Sequence, residues 1–221
     1  MLGLTVATDP AWAVHAAAHL DEVLIDHAHC ELKAAANAIA LVGRAPDDMP
    51  LVLALSALAE EEVQHFRQVC ELLAARGLTL GAPNKDEYAV LLRRAAANLP
   101  ARHDEALVGV DRLLVGALIE ARSAERFSLL AEVLRERGEG EVAHPQGAHG
   151  DPHLHAFYKE LFGCEARHYR TYVDLAVLAM QRRSGEERAR ALVRERLAAL
   201  AELEGQLVQE SAKAPRATIH G

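Results

Sequence analysis

Apolar residues recur at three- and four-residue steps along most of the chain, which is the spacing that places side chains on one face of an α-helix. Segments rich in glycine, proline and aspartate interrupt this pattern and read as turns. The helices that it predicts cover about residues 10–42, 50–76, 86–98, 103–137, 152–181 and 185–209. We therefore expect an all-α protein.

Composition supports this expectation. Hydrophobic residues make up 51% of the 221 residues and aromatic residues only 4%, so alanine and leucine dominate the apolar set. Alanine, leucine, glutamate and arginine are strong helix formers, whereas residues that favour strands are sparse. The length predicts a single domain over residues 1–221, with a core of about 10–181 and an additional C-terminal helix of about 185–209.

Charge and cysteine content narrow the class of protein. The formal net charge of -8 excludes a uniformly basic surface, although a local basic patch can still bind nucleic acid. The three cysteines are widely spaced and odd in number, so they predict no disulfide framework. The N-terminus lacks the basic start and apolar run of a signal peptide. A cytoplasmic protein that does not cross a membrane is expected.

Two copies of a Glu-x-x-His motif carry the first sign of chemistry. Glu62 and His65 lie in the helix predicted over 50–76, and Glu165 and His168 lie in the helix predicted over 152–181. A three-residue step places the carboxylate and the imidazole on one helix face, about one turn apart. Each pair can therefore bind one metal ion. A single copy in a glutamate-rich helical chain would be weak support.

Two further glutamates lie within apolar faces of the other long helices. Glu31 sits among alanines, and Glu120 lies within the segment LLVGALIEARSAERF. A carboxylate in such a setting costs several kcal/mol unless it is paired or bound to metal. The order Glu, Glu-x-x-His, Glu, Glu-x-x-His is that of di-iron and di-manganese carboxylate bundles. It predicts a ferritin-like four-helix bundle with one long crossover.

The ligand order also predicts how two metal ions would be shared. One ion would be bound by Glu31, Glu62 and His65, and the other by Glu120, Glu165 and His168. Glu62 and Glu165 are expected to bridge the two ions. Mixed carboxylate and imidazole ligands suit iron or manganese, and we favour iron because oxygen activation is its commoner use.

Other candidate groups are expected to have structural roles. His27 and His29, within one turn before Glu31, are interpreted as packing or supporting residues, and Glu125 is expected to pair with an arginine. Cys30 and Cys164 read as small core residues. A cluster of four histidines around the segment GEGEVAHPQGAHG is interpreted as a loop or lid; its members are His144, His149, His153 and His155.

Four stretches resemble one known family closely. They are IDHAHCELKAAANAIAL, ALAEEEVQHFRQV, LIEARSAERFSLL and ELFGCEARHYRTYVDLA, and the resemblance around them covers about residues 20–181. They resemble the MiaE family, the tRNA hydroxylases that act on 2-methylthio-isopentenyl-adenosine. The resemblance implies a ferritin-like di-iron monooxygenase and carries over all six metal ligands named above.

The resemblance also implies the substrate and the reaction. Such an enzyme hydroxylates the isopentenyl group of a modified adenosine next to the tRNA anticodon, with molecular oxygen as co-substrate. An external electron-transfer partner would be needed, because the sequence has no flavin or nicotinamide fingerprint and no rubredoxin-type cysteine pair. Candidate tRNA-contacting residues are Arg93, Arg94, Arg102, Arg182 and Arg183.

Three alternative classes share part of this pattern. A ferritin-like storage or peroxide-handling protein would have the same fold and ligands, although the missing cysteine pairs disfavour a rubrerythrin. A manganese catalase would differ in its metal. A helical interaction protein without enzymatic activity would bind no metal and would tolerate loss of Glu120, apart from an effect on stability.

Overall fold

The computed structural model describes residues 2–83, 87–100, 103–139, 152–211 and 218–219, and all regular secondary structure within them is helical. The helices are α1 (Pro10–Ala18), α2 (Leu20–Val42), α3 (Met49–Ala75), α4 (Glu87–Ala96), α5 (Glu105–Glu139), α6 (Pro152–Ser184) and α7 (Glu186–Ser211). The predicted all-α class is confirmed. None of the described helices has the length and apolarity required to span a membrane.

Local sequence signals set several helix ends. The Asp9 carboxylate accepts a hydrogen bond from the backbone N–H of Ala11 at the start of α1, and that of Asp48 accepts one from Leu51 at the start of α3. These side chains satisfy N–H groups that have no partner within the helix. At the end of α3, Gly77 adopts a φ of 71°, a left-handed conformation that glycine accepts without strain.

The prediction of one continuous helix at the start of the chain is wrong. Residues 10–42 were expected to be continuous, but the chain breaks between α1 and α2 at His19, whose φ of -127° and ψ of 43° are not helical. The break allows α1 to pack on α5, where Arg126 lies 4.9 Å from the ring of Trp12 in a cation–π contact. Nothing in the local sequence signals this turn, because alanines and leucine flank His19.

The junction between α6 and α7 also differs from expectation. Ser184 and Glu187 have the Ser-x-x-Glu spacing of a capping box, which would make Ser184 the N-cap of α7. Instead α6 continues to Ser184, whose hydroxyl donates to the carbonyl of Met180 within the same helix. Gly185 makes the turn with a φ of 77°. Since α7 begins at Glu186, Gly185 rather than Ser184 occupies its N-cap position.

The described chain forms two compact units. In the first, α2 and α3 pack as an antiparallel pair, and Arg76 at the end of α3 donates a 2.8 Å hydrogen bond to Asp21 at the start of α2. The backbone N–H of Ile219 donates to the Asp26 carboxylate of the same unit at 2.7 Å. The antiparallel arrangement of the two helices aligns the middle of α2 with the middle of α3, where the predicted ligands of both helices lie.

The second unit contains α1 and α4 to α7. Helices α5 and α6 are antiparallel, since Asp104 just before α5 pairs with Arg183 at the end of α6, and Ala131 near the end of α5 accepts a hydrogen bond from His155 near the start of α6. Helix α4 packs against α5 and α7. One domain over residues 1–221 stays a prediction.

Candidate metal centre

Helices α2 and α3 bring three of the predicted ligands together. Glu31, Glu62 and His65 each offer one ligand atom, and these atoms lie within 4.8 Å of one another. His65 Nδ1 is 3.7 Å from Glu31 Oε2 and 3.7 Å from Glu62 Oε2. All three side chains are buried. We refer to these residues as the α2/α3 triad.

His27 contacts the far side of this triad. Its Nε2 lies 2.6 Å from Glu31 Oε1, one helical turn away, and the His27 side chain is 0% exposed. The two oxygens of Glu31 therefore have different neighbours. Oε1 is bonded to His27, whereas Oε2 is the oxygen that faces His65.

The charges of the triad favour a cation at its centre. Burial would raise the pKa of Glu31, but hydrogen bonds to His27 and His65 hold that pKa well below its usual range. Burial would also lower the pKa of His65, but the carboxylates of Glu31 and Glu62 outweigh it and raise the pKa to about 11. The buried carboxylates of Glu31 and Glu62 thus create a negative electrostatic potential between them. Such a potential favours binding of a divalent cation.

Helices α5 and α6 hold the other three predicted ligands. Glu120, Glu165 and His168 offer ligand atoms within 4.8 Å of one another, and all three side chains are buried. We refer to these residues as the α5/α6 triad. One turn away on each helix, Gly116 faces Tyr172, and a Cβ atom at position 116 would lie 3.0 Å from its ring. Glycine thus permits the close approach of α5 and α6 beside the ligands.

The donor set of each triad fits a first-row transition metal that prefers mixed oxygen and nitrogen ligands. Two carboxylates and one imidazole suit iron or manganese, whereas a soft thiolate site would require cysteine. The cysteines do not take part in either triad: Cys30 lies beside Asp26, and Cys164 accepts from Arg167. Three protein ligands per triad leave coordination positions for water, oxygen or a bridging carboxylate.

The structure assigns supporting roles to several other residues. Glu125 pairs with Arg122, as expected. His29 lies 3.2 Å from the carbonyl of Leu80, so it takes a packing role, whereas His27 contacts the predicted ligand Glu31. His155 bonds to the carbonyl of Ala131. Cys30 and Cys164 are half-buried rather than core residues. His144, His149 and Arg102 lie outside the described residues.

Sequence reasoning missed a buried charged network in the second unit. The Arg122 guanidinium donates to both oxygens of Glu204 at 2.8 Å, and Tyr88 donates to the same carboxylate at 2.9 Å. Burial and the charge of Arg122 lower the pKa of neighbouring Arg126 to about 10. Arginine and glutamate at such distant positions carry no local signal, so spacing alone does not reveal this network.

Comparison with known proteins supports the same class of protein as the geometry of the two triads does. The profile of the family described as tRNA-(MS[2]IO[6]A)-hydroxylase (MiaE) matches residues 3–220 of the chain. The chain belongs to the MiaE family. The predicted family resemblance is therefore confirmed, and it extends beyond the quoted stretches to nearly the whole sequence.

Two relatives carry the same functional name. The tRNA 2-(methylsulfanyl)-N(6)-isopentenyladenosine(37) hydroxylase of Pseudomonas putida is 38% identical, and the match covers 76% of this chain and 72% of that protein. The protein of that name from Salmonella typhimurium is 31% identical, with 76% of this chain and 73% of that protein covered. Both relatives are named as hydroxylases, which agrees with the predicted class of enzyme.

A solved structure adds a second chemistry to the comparison. The protein from Synechococcus described as having aldehyde deformylating oxygenase activity aligns with a TM-score of 0.78 and 37% identity. The alignment covers 99% of this chain and 95% of that one. The predicted ferritin-like fold class is confirmed, and the MiaE-family chain also resembles an oxygenase whose name states a different reaction.

Proposed function

We propose that this MiaE-family chain hydroxylates the isopentenyl group of 2-methylthio-isopentenyl-adenosine in tRNA, with molecular oxygen as co-substrate. The observation that carries the proposal is the pair of buried triads, each with two carboxylates and one imidazole, in a chain that matches the hydroxylase family over residues 3–220. The ligand order along the chain is the order found in oxygen-activating carboxylate bundles.

The metal centre belongs to the proposal. The α2/α3 triad would bind one iron ion, and the α5/α6 triad would bind the other. Such a centre, once reduced, would supply the oxygen activation that attack on an allylic C–H bond of the isopentenyl group requires. An external electron-transfer partner is part of the proposal, and so are a cytoplasmic location and tRNA as the macromolecular substrate.

The chain's own residues would provide a dry, rigid site. Buried side chains with no charge lie one turn from the ligands on each helix and exclude water from the triads; they are Ala35, Leu58, Val69, Ala124, Leu161 and Tyr172. Exclusion of water strengthens the electrostatic contacts of the ligands and protects reactive species from side reactions. An isopentenyl group is apolar, so the same surroundings suit it.

The deciding experiment is an assay of oxygen insertion. The purified protein, loaded with iron and reduced, is incubated with oxygen and tRNA that carries the isopentenylated base, and the digested nucleosides are analysed by mass spectrometry. We expect the modified nucleoside to gain one oxygen atom, and this oxygen to carry label when the reaction is run in labelled oxygen gas. Protein that holds two iron ions per chain yet leaves this nucleoside unchanged would contradict the proposal.

A second candidate function is removal of the formyl carbon from an aldehyde. The observation that favours it is the 37% identity to the Synechococcus oxygenase over nearly the whole chain. Both reactions would use the same buried ligands, so the metal centre does not separate them. Incubation of the same iron-loaded protein with a reductant, oxygen and an aldehyde does separate them. Formation of a hydrocarbon one carbon shorter, together with formate, supports deformylation. Storage or peroxide handling predicts turnover of neither substrate.

Binding of tRNA by an acidic chain requires a local basic surface, and α4 offers one. Arg93 and Arg94 are exposed in the last turn of α4, while Arg183 forms an ion pair with Asp104. We expect the double charge reversal Arg93→Glu/Arg94→Glu to weaken tRNA binding. Each lost phosphate contact should also reduce the slope of log affinity against log salt by about one.

A filter-binding titration at several salt concentrations measures both effects. The matched control is Arg67→Glu/Arg190→Glu, which reverses two exposed arginines on α3 and α7 that each pair with a glutamate on their own helix. The control changes net charge by the same amount, so it corrects for general repulsion. Equal loss of affinity in both double variants would rule out a specific role for the α4 arginines.

A further inference from the structure

We propose that His27 is a positioning residue that restricts Glu31 to coordination through a single oxygen atom, Oε2. This inference rests on the proposed metal centre and adds a residue that is not itself a ligand. It concerns only α2 and α3, which belong to the same compact unit. Its consequence is chemical, because a carboxylate that uses one oxygen leaves one more coordination position open than a carboxylate that uses two.

The hydrogen bond between His27 and Glu31 is short and shielded from solvent. Nε2 of His27 lies 2.6 Å from Oε1 of Glu31, and the two side chains are 0% and 5% exposed. Because an ionised carboxylate only accepts hydrogen bonds, Nε2 must carry the hydrogen and act as donor. A charge-assisted bond of this length in a buried position is strong enough to hold a side chain in one rotamer.

The other oxygen of Glu31 faces the ligands. Oε2 lies 3.7 Å from Nδ1 of His65. Glu62, the third member of the α2/α3 triad, offers a ligand atom within 4.8 Å of those of Glu31 and His65. Rotation of the carboxylate to bring both oxygens onto one metal ion would stretch or break the bond from His27 to Oε1. Hydrogen bonds from outside the ligand set commonly orient metal-binding carboxylates in this way. The bond therefore selects one oxygen for the metal and withholds the other.

His29 provides a matched control on the same helix. It is a buried histidine two residues from His27, but its Nε2 lies 3.2 Å from the carbonyl of Leu80 and has no contact with a ligand carboxylate among the hydrogen bonds of the described residues. Substitution of His29 therefore removes a buried imidazole and its hydrogen bond from α2 without changing the surroundings of Glu31. Any effect of lost packing or stability should be common to both histidines.

The test compares Co(II) binding by four chains stripped of metal with a chelator: the wild type, His27→Leu, His27→Gln and His29→Gln. Glutamine retains an amide N–H at about the position of Nε2, whereas leucine has no donor. We expect His27→Leu to bind one of the two Co(II) ions about 10 to 100 times more weakly, the usual effect of losing a group that orients a ligand. His27→Gln should retain most of the wild-type affinity, and His29→Gln should match the wild type.

The visible absorption of bound Co(II) provides a readout that a purely structural role would not change. Its intensity falls as the coordination number of the ion rises. If His27→Leu frees Glu31 to coordinate through both oxygens, the absorption at saturating Co(II) should be weaker than in the wild type, and His27→Gln should restore it. His27→Asn, whose shorter amide does not reach Oε1, should resemble His27→Leu and replaces it if the leucine variant does not fold.

Two results would overturn the positioning role. One is a wild-type affinity and absorption in both His27→Leu and His27→Asn. The other is an equal change in His29→Gln, which would assign the effect to lost packing on α2. A wild-type chain that binds no Co(II) or Fe(II) at all would contradict the metal centre itself, and so is distinguishable from failure of the role of His27 alone.

Discussion

Substitution of Glu120 by alanine is expected to abolish hydroxylation, with a loss of more than about 100-fold in the rate of oxygen insertion. Loss of a group that merely orients a ligand already costs about 10- to 100-fold, and Glu120 is proposed to bind metal directly. Its side chain is buried in the α5/α6 triad with Glu165 and His168. Alanine leaves two ligands in that triad, so one iron ion should bind weakly or not at all.

The same substitution should have a different effect on stability. Ligand atoms of Glu120 and Glu165 lie within 4.8 Å of each other, and two buried carboxylates this close repel unless a cation or a proton lies between them. In protein stripped of metal, Glu120→Ala should therefore be at least as stable as the wild type. Iron should raise the unfolding temperature of the wild type more than that of the variant, because a ligand stabilises only the state that binds it and the variant keeps only the α2/α3 triad complete.

Glu132→Ala is the matched control for this prediction. Glu132 lies on α5, like Glu120, but it is exposed and pairs with Arg135 at the surface. The control should retain two iron ions per chain and the wild-type rate. Iron content, mass spectrometry of the nucleoside and thermal unfolding with and without iron measure the three effects. A Glu120→Ala protein that keeps both iron ions would contradict the role of Glu120 as a metal ligand. A variant that changes only in stability, in a chain whose wild type binds no iron, would favour the non-enzymatic interaction protein.

The fold class and the candidate ligands could be predicted because their signals are local and periodic. Glu62 with His65 and Glu165 with His168 are three residues apart, so helix geometry alone predicts that each pair shares a face. Glu31 and Glu120 stand out because carboxylates are costly within apolar helix faces. Burial of all six side chains agrees with that reasoning. Their joint binding of two ions remains a prediction.

Other features depend on tertiary contacts that leave no local trace. The break at His19 interrupts a run of good helix formers, and it is accompanied by packing of Trp12 under Arg126 on α5. The bond from His27 to Glu31 could have been found, because the two residues are four apart on one helix. The pairing of Arg122 with Glu204 could not, since 82 positions separate them along the chain.

The pair of Arg122 and Glu204 leads to the second large effect. Both side chains are 0% exposed, and the guanidinium also donates to the carbonyl of Val6 and the hydroxyl of Thr8. Arg122→Leu would leave the carboxylate of Glu204 buried without its main counter-charge. We expect the free energy of unfolding to fall by about 3–5 kcal/mol, the usual cost of removing one member of a buried ion pair. Urea denaturation followed by circular dichroism measures it.

The double variant Arg122→Leu/Glu204→Met separates two contributions to the free energy of unfolding. One is the cost of leaving a single charge buried without a partner, and the other is the net stabilisation by the ion pair. The double variant replaces both charges with apolar groups, so it should be more stable than Arg122→Leu alone, as replacement of a buried pair is often neutral. Tyr88 would lose its acceptor, which sets a limit to the recovery. The exposed pair of Arg135 and Glu132 is the control, and Arg135→Ala should change stability little. A double variant as unstable as the single one would show that the pair itself stabilises this unit, because its bonds tie α5 to α7 and to the N-terminal segment.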